Sequence, residues 1–269
     1  MKLNLKKLAA VAGLASTLIL TGCGQEEAKT NSIKVGVMAG AEAQVAEVAA
    51  KVAKEQYGID VELVTFTDYV TPNAALDDGS IDLNAFQHKP YLDQQVTDRG
   101  YKIEIAGNSF VYPIAGYSKQ VTSVDQIEDG ARIAVPNDPT NLGRSLLLLQ
   151  EQGLITLRDG SGLAATVRDI TANPKNITIV ELDAAQLPRS LDDVALSVIN
   201  TTYASSLNLT PEKDGIFVED KDSPYVNLIV GRTDNVNTEN VKTFVKAYQS
   251  EEVYQAALKT FKGGVVKGW

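Results

Sequence analysis

Asp82-Leu83-Asn84-Ala85-Phe86-Gln87-His88-Lys89-Pro90-Tyr91-Leu92 decides how this chain is read. It passes from an apolar strand into a turn, and Pro90, with φ fixed and no N–H to satisfy, suits the opening of a helix. Open α/β proteins hold their ligands where strands run out into helices. Phe86, His88 and Tyr91 stand together at such a junction, and His88 is the one histidine of the chain. The expectation is the aromatic corner of a small-molecule pocket.

The residues upstream read as a β-α-β unit. Residues 33–38 are β-branched enough for a strand. In 42–56, Val45, Val48, Ala49 and Val52 fall at i, i+3, i+4 and i+7, one apolar helix face. Gly58 ends that helix, and 61–66 is a second strand, parallel to the first by default. Tyr69 follows it at a strand exit comparable to that of Phe86.

Downstream, 90–99 reads as a helix, 101–105 as a short strand, and 111–117 as an extended crossing in which Pro113 is awkward for a central strand. The same logic then repeats. Residues 132–136 form a strand, 137–144 a turn and 145–152 a strong helix. Strands follow at 177–182 and 195–199, the second ending at Asn200. Residues 223–230 form a return crossing, and helices at 238–249 and 251–260 pack back on the first half. This is an α/β chain of two lobes, 33–112 with 228–269 and 113–227, joined by two crossings that act as a hinge. Its 269 residues suit two such units.

The first residues stand apart. Lys2, Lys6 and Lys7 precede a run, 8–20, too short to span a bilayer. Leu20-Thr21-Gly22-Cys23 follows, and Cys23 is the single cysteine, which excludes an intrachain disulfide and a paired-cysteine metal site. Small residues before a lone cysteine resemble the lipobox of bacterial lipoproteins, which implies a signal peptide over 1–22 and lipidation of Cys23; the plainer alternative is a secretory signal with an incidental cysteine, and in either case a polar tether follows to residue 32. Losing 1–22 removes three lysines and no acid, so the formal charge moves from −9 to −12. A surface this acidic argues against nucleic acid and against anionic lipid as partners.

Asn141 and Arg144 lie where a turn enters a helix. Unpaired N–H groups and the macrodipole favour an anion there, and a guanidinium matches a carboxylate bidentately; the plainer alternative is a capping Asn141 and a solvated Arg144. Asn200 and Asn227 lie at a strand exit and on the return crossing, where an amide offers donors and an acceptor; each could equally be a cap or an exposed strand residue. Tyr69, Phe86, His88 and Tyr91 could wall an apolar side-chain pocket, or be core. No nucleophile elbow, phosphate loop or dinucleotide fingerprint is present. Neither enzyme chemistry nor a cofactor is expected, and a lone histidine makes a poor metal site.

Taken together, Asn84-Ala85-Phe86-Gln87-His88-Lys89-Pro90-Tyr91-Leu92, Val135-Pro136-Asn137-Asp138-Pro139-Thr140-Asn141-Leu142-Gly143-Arg144, Val198-Ile199-Asn200-Thr201-Thr202-Tyr203-Ala204 and Pro224-Tyr225-Val226-Asn227 resemble the NlpA lipoprotein family over the whole stretch from Ile33 to Trp269. The resemblance implies a two-lobed periplasmic-binding-protein fold of type II-like plan that closes on its ligand. It also implies a lipid-anchored envelope protein that hands methionine to an ABC importer permease and its ATPase. It places Arg144 on the ligand carboxylate with Asn141 nearby, Asn200 and Asn227 on the amino-acid head group, and Tyr69, Phe86, His88 and Tyr91 around the thioether, with Tyr112 near the hinge. Another amino acid or a methionyl peptide as ligand, or a surface adhesin with a vestigial pocket, are the rival readings.

Overall fold

The computed structural model describes residues 31–220 and 224–269; the leader and Cys23 lie outside them. Strand β1 (Ser32–Met38) leads into helix α1 (Ala41–Tyr57), which buries Val45, Ala49 and Val52 on one face. Gly58, at φ 71°, closes α1 by donating to the carbonyls of Ala53 and Lys54. Strand β2 (Asp60–Phe66) pairs parallel to β1. Ser32, expected at the end of the tether, instead pairs with Asp60 in this sheet, and Asp60 N–H donates to the Asn31 carbonyl at 2.8 Å.

Helix α2 (Thr71–Asp77) precedes β3 (Leu83–His88), and β3 enters α3 (Lys89–Arg99) directly. The turn expected ahead of Pro90 is absent. His88 Nδ1 accepts from the Tyr91 N–H at 3.2 Å, so the last strand residue is itself the helix cap. β3 is buried on both faces. Its polar members are satisfied by Asn73 of α2, which donates to Gln87 at 2.7 Å and accepts from Asn84 at 2.9 Å.

Strand β4 (Ile103–Val111) is one nine-residue strand, where a short strand ending at 105 is expected. The chain then builds a second sheet from β5 (Ala115–Tyr117), β6 (Arg132–Pro136), helix α4 (Pro139–Glu151), a small hairpin of β7 (Thr156–Leu157) and β8 (Ile170–Ala172), β9 (Thr178–Leu182), α5 (Leu187–Ser190), β10 (Leu196–Ile199), α6 (Thr201–Ala204), α7 (Pro211–Asp214) and β11 (Phe217–Val218). It returns as β12 (Val226–Arg232), α8 (Glu239–Tyr248), α9 (Glu251–Thr260) and β13 (Val266–Lys267).

The sheet orders are β13-β4-β12-β3-β1-β2 and β11-β5-β10-β6-β9. Both follow one plan. Three parallel strands (β2, β1, β3 and β9, β6, β10) are flanked by an antiparallel strand adjoining a crossing, β12 in the first sheet and β5 in the second. Val226 and Asn227 already belong to the first sheet, opposite Val111 and His88. Val241 and Phe244 of α8 and Val253 of α9 share a core with Val45 and Ala49 of α1, so the last helices cover the first sheet.

Helix α4 begins at Pro139, well before the expected start at 145. Asp138 is its cap, with Oδ1 accepting from the Asn141 N–H at 2.9 Å, and Pro139 sits at a first-turn position where its missing N–H costs nothing. Asn141 and Arg144 are therefore helix residues rather than turn residues. The expected anion site at this helix end is correspondingly closed, because Asp138 occupies it.

Candidate functional site

The eight residues singled out from the sequence come from six places in the chain, and the structure brings all of them to the lining of one cavity. From the first sheet, Tyr69 follows β2, Phe86 and His88 end β3, Tyr91 lies in α3 and Asn227 in β12. From the second, Asn141 and Arg144 lie on α4, and Asn200 follows β10. Tyr112, on the first crossing, and Thr201 and Thr202 of α6 complete the lining. The cavity thus sits beyond the carboxyl ends of parallel strands in both sheets, the place open α/β folds provide.

The first-sheet wall is aromatic. Phe86 lies 5.8 Å from Tyr69 and 6.0 Å from Tyr91 between ring centroids, edges and faces offset. The Tyr91 hydroxyl donates to the Tyr69 carbonyl at 2.8 Å and fixes that wall. Tyr203 of the second sheet's α6 packs tilted against Tyr69, 4.9 Å between ring centroids, so the wall is shared across the cleft.

The opposite end is polar and ordered by one amide. Because His88 Nδ1 accepts from Tyr91, the imidazole proton resides on Nε2, which donates to Asn141 Oδ1 at 3.2 Å. The same oxygen accepts from Asn200 Nδ2 at 3.0 Å, while Asn141 Nδ2 donates to both carboxylate oxygens of Asp138 at 3.0–3.1 Å. This chain crosses the cleft and leaves Asn200 Oδ1 buried without a partner among the described residues. Asn200 occupies the cap position of α6 but makes no side-chain cap bond. Asn227 is 7 % exposed, not an exposed strand residue, and its Nδ2 donates to the Phe86 carbonyl at 3.0 Å. Each amide nitrogen already donates once to protein, and the Asn200 oxygen, with no donor among the described residues, is suited to an ammonium group.

Arg144 departs from expectation. Its Nε donates to Glu219 Oε1 at 2.7 Å, and its Nη2 to Glu219 Oε2 and to the Tyr112 carbonyl. The fork is filled, leaving the Nη1 edge. Tyr225 supports the guanidinium, its ring centroid 4.2 Å from Cζ. Gly143 lets protein backbone approach closely: a Cβ there would meet the Leu163 carbonyl oxygen at 2.2 Å. Burial first, then the Arg144 charge, lowers the His88 pKa to about 3, so the ring is neutral at any ordinary pH.

Sequence reasoning missed Thr201 and Thr202, although both stand in a quoted motif, and it missed the two acids Glu42 and Glu219. Glu42, in the first turn of α1, is 2 % exposed and accepts from Thr202 Oγ1 at 2.5 Å across the cleft. Its pKa is raised to about 8, chiefly by burial.

A two-lobed α/β fold whose lobes meet over a small cavity, with an aromatic half and a head-group half, defines a ligand-capturing protein of the periplasmic-binding class. Residues 33–269 match the NlpA lipoprotein family, and the chain belongs to it. It is 74 % identical over 269 residues, the full length of both chains, to a probable D-methionine-binding lipoprotein of Vibrio cholerae. A crystal structure of a methionine-binding protein superposes with TM-score 0.88 at 71 % identity, covering 89 % of this chain and 99 % of that one. A methionine-bound nutrient-binding protein of Burkholderia cenocepacia superposes with TM-score 0.86 at 53 % identity, covering 88 % and 100 %.

Proposed function

We propose that this protein captures methionine between its lobes and delivers it to the membrane permease of an ABC importer, without covalent chemistry. The observation that carries the reading is the pairing of Asn200 Oδ1, buried and unpartnered among the described residues, with the remaining Arg144 edge in the same cavity as the aromatic wall. An α-ammonium on the asparagine oxygens, a carboxylate on Nη1, and a thioether against Phe86, Tyr69 and Tyr91 use each group for what it offers. Aromatic contacts to a thioether contribute roughly 0.3–1.5 kcal/mol each.

The ligand is tighter in the closed form and shifts the lobes toward it; the closed form is what the permease reads, and the importer ATPase drives release. Cys23, lipidated, holds the protein at the envelope membrane on the side facing the periplasm or exterior. The test is mass spectrometry of what the purified protein, expressed from residue 24, releases on denaturation. Methionine near one per chain is the expected result. A different small molecule reassigns the specificity, and an empty protein that also ignores added methionine refutes the proposal.

A further inference from the structure

Arg144 is gripped by parts of both crossings. Glu219 directly follows β11, where its N–H donates to the Ile114 carbonyl at 3.0 Å, and the Ile114 N–H reaches back to Glu219 Oε2 at 3.4 Å. The Glu219 side chain is 12 % exposed and the Arg144 side chain 4 %. Nε–H and both Nη2 hydrogens are taken by Glu219 and the Tyr112 carbonyl. Among the described residues no hydrogen bond or ion pair engages Nη1. With His88 neutral, Glu219 is the acid paired directly with Arg144.

We infer that Glu219 is a positioning and selectivity residue of the ligand site: it fixes the Arg144 edge presented to the ligand and offsets its charge, so that the cleft takes zwitterions in preference to anions. The inference rests on the ligand reading above. An unopposed guanidinium in a closed, weakly hydrated cavity would favour any carboxylate, with or without an ammonium group. With Glu219 in place, the carboxylate gains less, and the ammonium sees both the Asn200 oxygen and a nearby negative charge. Preference for the zwitterion is then built into the ion pair, not only into the asparagines.

The experiment compares L-methionine with its 2-hydroxy analogue, which has the same size and carboxylate but carries a net charge of −1. Calorimetric affinities are measured for wild type, Glu219→Gln and Glu219→Asp. Glu219→Gln keeps the size and one acceptor but removes the charge, and the methionine-to-analogue affinity ratio is expected to fall roughly tenfold or more, the scale of one charge a few ångströms away at intermediate dielectric. Glu219→Asp keeps the charge, so it should weaken both ligands while holding the ratio near wild type. A ratio unmoved by Glu219→Gln, or moved equally by Glu219→Asp, overturns the inference. If Glu219→Gln does not fold, the Asp variant still decides: a ratio that collapses with the charge retained rules the idea out. Wild type that binds neither compound refutes the ligand reading instead, so the two failures are distinguishable.

Discussion

Replacing Glu42 by glutamine should abolish a pH dependence of methionine capture that the wild-type protein shows between pH 5 and 8. Glu42 is buried at the lobe interface, its pKa raised from 4.5 to about 8 by burial, with the Thr202 hydrogen bond acting the other way. The titratable groups around it are Tyr69, Tyr112, Tyr203 and Tyr248, all phenols with pKa values themselves raised by burial. They stay neutral over the range, and no cation pairs with Glu42 among the described residues. An acid whose pKa is raised in the closed state makes that state the better proton binder. Its contribution is fully present below pH 4.5 and is lost as pH rises toward 8. At about 1.4 kcal/mol per pKa unit, the closed form disfavours the ionised Glu42 by about 5 kcal/mol relative to a solvated carboxyl, and ionising it in place at pH 7 costs about 1.4 kcal/mol. Opening rehydrates Glu42 and so relieves the part of the burial imposed from the second-sheet side, while losing the Thr202 hydrogen bond works against that relief. If the net relief is about one pKa unit, affinity falls about tenfold across the window. Calorimetry at pH 5.5, 7.0 and 8.5, in two buffers of different ionisation enthalpy, should show proton uptake on binding by wild type and none by Glu42→Gln. Parallel affinity profiles with equal proton uptake would refute the reasoning.

Asn227→Ala should lower methionine affinity by about 10- to 100-fold, the scale of a lost buried hydrogen bond to a charged group, with the unfolding midpoint in urea moving little. Arg144→Ala should abolish binding too, but should also cost about 3–5 kcal/mol of stability because it strands the Glu219 carboxylate; equal stability of the two variants would contradict the ion-pair geometry. Gly143→Ala should destabilise by about 1–3 kcal/mol in chemical denaturation, since the clash is with the Leu163 backbone and not with a movable side chain. The His88 imidazole resonances should not titrate between pH 5 and 8 by NMR, given a pKa near 3; a midpoint near 6.5 would place the ring in water.

The parallel strands and the site's location were legible because their signals are local. β-branched runs, a helical face on α1 and Gly58 mark β1, α1 and β2 without any long-range contact. Aromatic residues at two strand exits mark the pocket. The start of α4 was legible but misread: Asp138-Pro139 is a helix-opening signature, and the neighbouring Pro136 and Asn137 made it look like a turn. β4 was not legible, because its Gly107-Asn108 dipeptide reads as a breaker while the strand is held by bulged pairing with β12, more than 100 residues away. The two buried acids were least legible. Glu42 and Glu219 look like surface charge until Thr202 and Arg144, 160 and 75 residues distant, close over them.

Those same long-range contacts make binding and closure one event. Asn141 Oδ1 takes a proton donor from each side, His88 Nε2 from the first sheet and Asn200 Nδ2 from the second. Opening the cleft removes the His88 bond and frees the asparagine chain to turn. The orientation that leaves Asn200 Oδ1 facing the cavity is therefore a property of the closed form. Arg144 is held in the same way, by Tyr112 on one crossing and Glu219 beside the other, so a hinge rotation that separates those two must also disturb the carboxylate site. A ligand that needs both the oxygen and the guanidinium edge binds the closed arrangement with an affinity the open one does not offer. That difference, rather than any single contact, is what can shift the lobes.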